Sequence, residues 1–156
     1  MAPGRRPCHN APMTENNMSR EIVLQWLDAV ERTARALDYE AHMDLVSKRV
    51  QVHGISGFDV IGYEDWARQC EHEFKEGLLK SVRYQGLRMT VSTDTRIMFQ
   101  TRERVEAADG TIVSHGLEVL LEQEADGKWR VVRERIMPDD EAVYSGLPDP
   151  AADGAG

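Results

Sequence analysis

Residues 95–137 read TRIMFQTRERVEAADGTIVSHGLEVLLEQEADGKWRVVRERIM and divide into three alternating segments, 95–107, 111–124 and 128–137. Asp109-Gly110 and Asp126-Gly127 part them. Asp-Gly between alternating runs marks a hairpin, because the turn needs positive φ at its centre. The reading is a meander of long antiparallel strands. Such strands bury one face and leave the other to water or to a partner, so another layer must cover the meander.

Working outward, residues 80–93 alternate as well, with Leu87, Met89 and Val91 on one side and Tyr84, Arg88 and Thr90 on the other. This is the strand leading into the meander. Before it, Tyr63, Trp66, Ala67, Cys70, Phe74 and Leu78 recur at three- and four-residue intervals, a helix opened by Gly62. Residues 54–62 carry three glycines and read as a loop, and 49–53 alternate as a half-buried strand. Asp38 caps a short helix through Leu45 and Val46. Upstream, Ser19 is placed as the N-cap of a longer one, whose apolar face is Ile22, Val23, Trp26, Leu27, Val30, Ala34 and Leu37.

The chain of 156 residues suits one domain. Residues 1–18 are polar and aperiodic, which predicts a disordered leader, with Met13 and Met18 as alternative starts to Met1. The domain proper is 19–140, and 141–156 reads as a disordered acidic tail. A net charge of -8 argues against a nucleic-acid partner, whose phosphates need clustered Lys and Arg. Cys8 and Cys70 show no metal or redox spacing. No segment approaches the ~20 apolar residues of a membrane helix, and no apolar run follows Arg5-Arg6 as an export signal requires. The expectation is a soluble cytoplasmic protein with no membrane partner.

Helix, short helix, strand, third helix and four long strands, the last opening Asp126-Gly127-Lys128-Trp129-Arg130-Val131, resemble the nuclear transport factor 2-like superfamily, with its SnoaL-like polyketide cyclases and ketosteroid isomerases. The resemblance covers about residues 20–140 and also rests on the Asp38 helix junction and on Gly62. It implies an α+β fold, a cystatin-like roll in which a cone-shaped curved antiparallel sheet wraps around N-terminal helices, often dimeric and with a pocket inside. The isomerase chemistry itself does not transfer. Trp26 stands where that pattern has a tyrosine, and Gly54 where it has a carboxylate base.

Parity within the meander picks out candidate residues. His115 shares a face with Val113, Leu117, Val119 and Leu121, where it would act as acid or base near neutral pH or simply be a hydrogen-bonded core histidine. Glu103 shares parity with Ile97, Phe99 and Val105, as an inward carboxylate or one side of a rim ion pair. Trp129 and Val131 are in phase with Arg133 and Arg135. If that phase points inward, the guanidinium groups need Glu103 and Glu134 or an anionic ligand, whereas on the outer face they form a solvated ladder. The string Cys70, Glu71, His72, Glu73 does not share one helical face and so does not converge on a metal.

Three readings follow. The first is a domain binding a small molecule, anionic or aromatic, among the rings of Trp26, Phe99 and Trp129 and the polar groups of His115, Glu103, Arg133 and Arg135. The second is a cofactor-independent lyase, isomerase or cyclase in which His115 or Glu103 moves a proton. The third is a scaffold domain with a vestigial pocket. A homodimer is expected through the sheet face carrying Met98, Gln100, Arg102 and Arg104.

Overall fold

The computed structural model describes residues 6–148, with side chains from residue 17 onward. The elements run α1 (Arg6–Ala36), α2 (Tyr39–Met43), β1 (Val46–His53), α3 (Tyr63–Lys75), β2 (Leu79–Ser92), β3 (Arg96–Ala107), β4 (Ile112–Gln123), β5 (Trp129–Met137) and α4 (Asp139–Tyr144). They form an α+β fold around one five-stranded sheet of order β1-β5-β4-β3-β2. The sheet is mixed where an antiparallel one was expected. β1 reaches β5 through the whole intervening chain and lies parallel to it, while β2 to β5 form the antiparallel meander. Gly110 and Gly127 take the positive φ that the Asp-Gly turns require, 92° and 85°.

The concave face of the sheet packs on α1. Val23, Trp26, Leu27, Val30 and Ala34 are buried against Ile97, Phe99, Leu117, Val119, Leu121 and Val131. Leu37, expected on the same apolar face, is instead the residue that ends α1, with φ of 54° and a partly exposed side chain. Asp38 then caps α2 as expected, its Oδ1 accepting from the Ala41 N–H at 3.2 Å.

Helical backbone continues past both ends of the expected 19–140 span. Helical backbone begins at Arg6, so Ser19 is an interior residue of α1 whose hydroxyl meets that of Ser92, and not an N-cap. Polarity reports whether a segment is buried. A helix already nucleated can extend through a polar run at the gain of one backbone hydrogen bond per residue ordered. Residues 1–5 of the expected leader lie outside the described residues.

At the other end, residues 139–148 are not a tail. α4 and the turn after it strap the convex face, burying Ala142 and Leu147 against Met137. Gly116 makes room for them, since a Cβ there would stand 2.7 Å from that of Ala142. Arg102 is fully buried beneath the strap, with Nε donating to the Pro148 carbonyl and a terminal nitrogen to the Ser114 hydroxyl at 3.3 Å. Gln100 is buried beside it. The sheet face assigned to a dimer contact is therefore already occupied in large part by the chain's own C-terminal segment. The remainder of the expected tail, 149–156, lies outside the described residues.

Candidate active site

Bulges decide which side chains enter the cone. Side chains alternate along a strand with period two, so one extra residue on one strand reverses every assignment beyond it. In β5, Leu120 pairs with Arg133 but Leu121 pairs with Val131, which leaves Val132 as the extra residue. The phase that carries Val131 inward thus continues as Glu134 and Ile136. Arg133 and Arg135, expected to follow Val131 into the pocket, are turned outward. Arg133 is exposed. Arg135 lies on the outer face, its Nε bound to Glu118 at 3.1 Å and its terminal nitrogens to Glu141 at 3.0 and 2.6 Å.

β2 behaves the same way. Its ladder to β3 shifts between Gln85 and Arg88, around Gly86 with φ of 77°. Tyr84, assigned to the polar side, therefore joins Leu87 and Met89 in packing against the core. Gly54 ends β1 with φ of 90°, and a Cβ there would stand 2.6 Å from the Ile136 carbonyl oxygen. Close packing of β1 on β5 thus explains the glycine at the position where a carboxylate base was looked for.

The hairpin of β3 and β4 keeps an unbroken register, and Glu103 lies directly opposite His115. The two residues that parity selected separately are one pair, with His115 Nε2 2.9 Å from Glu103 Oε1. The other oxygen of Glu103 accepts from the Tyr84 hydroxyl at 2.9 Å. A carboxylate accepts and does not donate, so Nε2 carries the imidazole hydrogen and Nδ1 is left to accept one. Glu103 is thereby the group that sets the tautomer and orientation of His115, as the acid member of a histidine dyad does.

These groups face two adjoining chambers that share part of their lining. An outer chamber of about 900 Å³ opens between α3, the 54–62 loop and the sheet, with Phe58 and Ile61 near its mouth and His115 in its wall. A smaller inner chamber of about 180 Å³ lies under α1, walled by Trp26, Val30, Phe74, Val82 and Val105. Trp66, Cys70, Glu73, Glu103 and Glu134 line both, which makes them the neck. Trp26 occupies the inner wall as a ring, its indole N–H donating to the Leu45 carbonyl at 3.2 Å and its edge against Phe99 at 6.4 Å. Phe99 is buried behind it in the core, and Trp129 sits at the start of β5 beside the core. Neither lines either chamber.

Burial dominates the electrostatics of the neck. Glu134 is 9% exposed, and burial together with the charge of Glu103 pushes its carboxyl well above the usual range, which favours the protonated form. Burial raises the Tyr84 phenol likewise, and the Cys70 thiol to about 12. His42, whose Nδ1 is 2.9 Å from the Thr33 hydroxyl, is lowered to about 4 by burial, against the opposing pull of Glu103, and is neutral. The neck therefore offers a carboxylate-oriented imidazole on one strand and a neutral carboxylic acid on another, a combination suited to taking a proton at one point and giving one at a second.

Of the residues named from the sequence, Glu103, His115 and Trp26 line these chambers, and Tyr84, His42 and Glu134 line them as well without having been named as site residues. Folding the first hairpin about Asp109 would have paired 103 with 115. No sequence signal marks Val132 as the extra residue.

Neither a known protein-family model nor a curated protein matches the sequence. Solved structures do. The chain is similar to a nuclear transport factor 2-like protein from Cytophaga hutchinsonii, with TM-score 0.61 and 12% identity over 76% of this chain and 96% of that one. It is similar to a candidate scytalone dehydratase from Novosphingobium aromaticivorans, with TM-score 0.66 and 10% identity over 80% and 86%. It is also similar to a candidate dehydratase of the same fold family from Streptomyces avermitilis, with TM-score 0.60 and 14% identity over 79% and 97%. Backbone likeness at such identities speaks for architecture and not for a reaction. With its curved, open five-stranded sheet wrapped over α1 and a hollow on the concave side, the chain has the nuclear transport factor 2-like fold.

Proposed function

We propose that the protein binds a small, uncharged, largely apolar molecule in the two-chambered cavity and moves a proton on it without a cofactor, as a lyase or isomerase. The observation that carries this reading is the His115–Glu103 pair, set in the cavity wall with both carboxylate oxygens engaged and Nδ1 free to act. His115 is half-buried and lines the outer chamber, where Nδ1 would accept a proton from a bound molecule. The anionic ligand expected from Arg133 and Arg135 is not part of this proposal. Those guanidinium groups lie outside, and the neck carries Glu73 and Glu103, which disfavour a carboxylate. Two of the similar structures bear dehydratase names, which agrees with proton removal next to a leaving hydroxyl.

The test needs no prior substrate. Incubation of simple cyclic ketones in D₂O with the protein should accelerate exchange of the protons α to the carbonyl, followed by proton NMR. His115→Ala should lose about 10²-fold or more of that acceleration. Equal exchange by the wild type and His115→Ala would defeat the reading. The same proposal takes the protein as cytoplasmic and self-pairing through the part of the outer sheet face that the strap leaves open, around Met98. A single monomeric species in sedimentation at all concentrations would end the pairing.

Among the described residues no helix is long and apolar enough to cross a membrane.

A further inference from the structure

We infer that the outer face of β2 and β3 carries a site for a doubly charged oxyanion of the phosphate type, held by Arg83, Arg102 and Arg104 beside the C-terminal strap. It does not depend on the cavity, which lies on the other side of the sheet. Val82, Tyr84 and Val105 pack toward the core, so the residues that alternate with them, Arg83 and Arg104, point outward. The two lie directly opposite each other in the ladder. Arg102, two residues from Arg104 on β3, shares their face. Like charges facing each other across a ladder repel. Three guanidinium groups thus meet on one face of a chain whose net charge is -8.

Acids of the described residues do not neutralise them. Glu106, next along the same face, accepts from Lys80 at 3.2 Å and stands 3.8 Å from Arg104, beyond hydrogen-bond reach. Arg83 is exposed, and its side chain pairs with no acid among the described residues. Arg102 is fully buried, with Nε on the Pro148 carbonyl and Nη1 on the Ser114 hydroxyl, yet its Nη2 has no acceptor. The buried Nε of Arg104 has none either. A charged donor shut away from water without an acceptor is costly, and an oxyanion removes that cost. The described part of the strap reaches Gly86, where a Cβ would stand 2.7 Å from the Pro148 ring, and leaves Arg83 open to solvent. Guanidinium forks each take two oxygens of one group, and a tetrahedral dianion offers oxygens to several forks at once. A lone carboxylate has half the charge and two oxygens in one plane.

The experiment titrates the full chain with inorganic phosphate, and separately with acetate and chloride at matched ionic strength, following the Nε–H signals of Arg102 and Arg104 by NMR. Phosphate is expected to shift both signals saturably and to bind at least tenfold more tightly than acetate. Arg83→Ala, an exposed position that should leave the fold intact, should weaken phosphate about tenfold, and Arg104→Lys, which keeps the charge and loses the fork, should weaken it as well. Arg133→Ala, an exposed arginine on another strand, should change nothing. Phosphate binding no better than chloride, or equal losses in Arg83→Ala and Arg133→Ala, would overturn the inference. So would a gain of tenfold or more when Asp149→Asn and Asp153→Asn are combined in the full chain, because the chain's own acids would then be the occupant.

Discussion

Replacing Glu134 with glutamine should make the protein more stable, and increasingly so as the pH rises. The side chain is 9% exposed, and burial followed by the neighbouring charge of Glu103 raises its carboxyl well above the ordinary range. The inner chamber holds no Lys or Arg, and in the outer one Arg68 is paired with Asp65 and His115 with Glu103. Cys70 and Tyr84 are held neutral by burial, His42 is neutral at a value of about 4, and Glu73 and Glu103 are acidic. In the unfolded chain the same carboxyl loses its proton near pH ~4.3. Above that point the folded protein keeps a proton that the unfolded chain has released, so stability falls with rising pH. The slope is about 1.4 kcal/mol for each pH unit until the folded group titrates as well. Glutamine has the same shape and cannot titrate, so its variant lacks this contribution. Urea unfolding of both proteins at intervals from about pH 5 upward, with m-values held equal, should show the advantage of the variant widening by about 1.4 kcal/mol per unit. A stability difference that stays constant across that range would show Glu134 to be ionised in the fold and would refute the account of the neck.

Four further outcomes follow from the same structure. Gly54→Ala places a Cβ 2.6 Å from the Ile136 carbonyl oxygen at φ of 90°, and should cost about 2 kcal/mol or more in chemical denaturation by parting β1 from β5. Gly116→Val should drive Ala142 off the sheet, seen as fast amide exchange across residues 139–148 with the meander still protected. Arg102→Ala removes a fully buried guanidinium from the Pro148 carbonyl and should lower stability by about 2 kcal/mol while loosening the same strap, read by exchange and by denaturation. Arg135→Ala breaks ion pairs on the outer face only. It should cost at most about 1 kcal/mol and leave ketone binding in the cavity unchanged, which isothermal titration would check.

The meander, its two Asp-Gly turns, the apolar face of α1, the Asp38 cap and α3 were all legible in the residues, because each depends on local chemistry. A turn needs a residue tolerant of positive φ, a cap needs a short acceptor, and an amphipathic helix repeats every 3.6 residues. The unbroken register of the β3–β4 hairpin is local in the same sense, and so the sequence alone already implied that Glu103 and His115 face one side together. What lay beyond it were the events that happen between strands distant in the chain. The extra residue Val132 and the bulge at Gly86 are properties of ladders, and each reverses a period-two pattern that looks uninterrupted along its own strand. Tertiary structure therefore chose Glu134 over Arg133 and Arg135 for the interior, brought Tyr84 to Glu103, and laid residues 139–148 over Arg102. Alternation states which side chains share a face within a run, and pairing alone states where the run is broken.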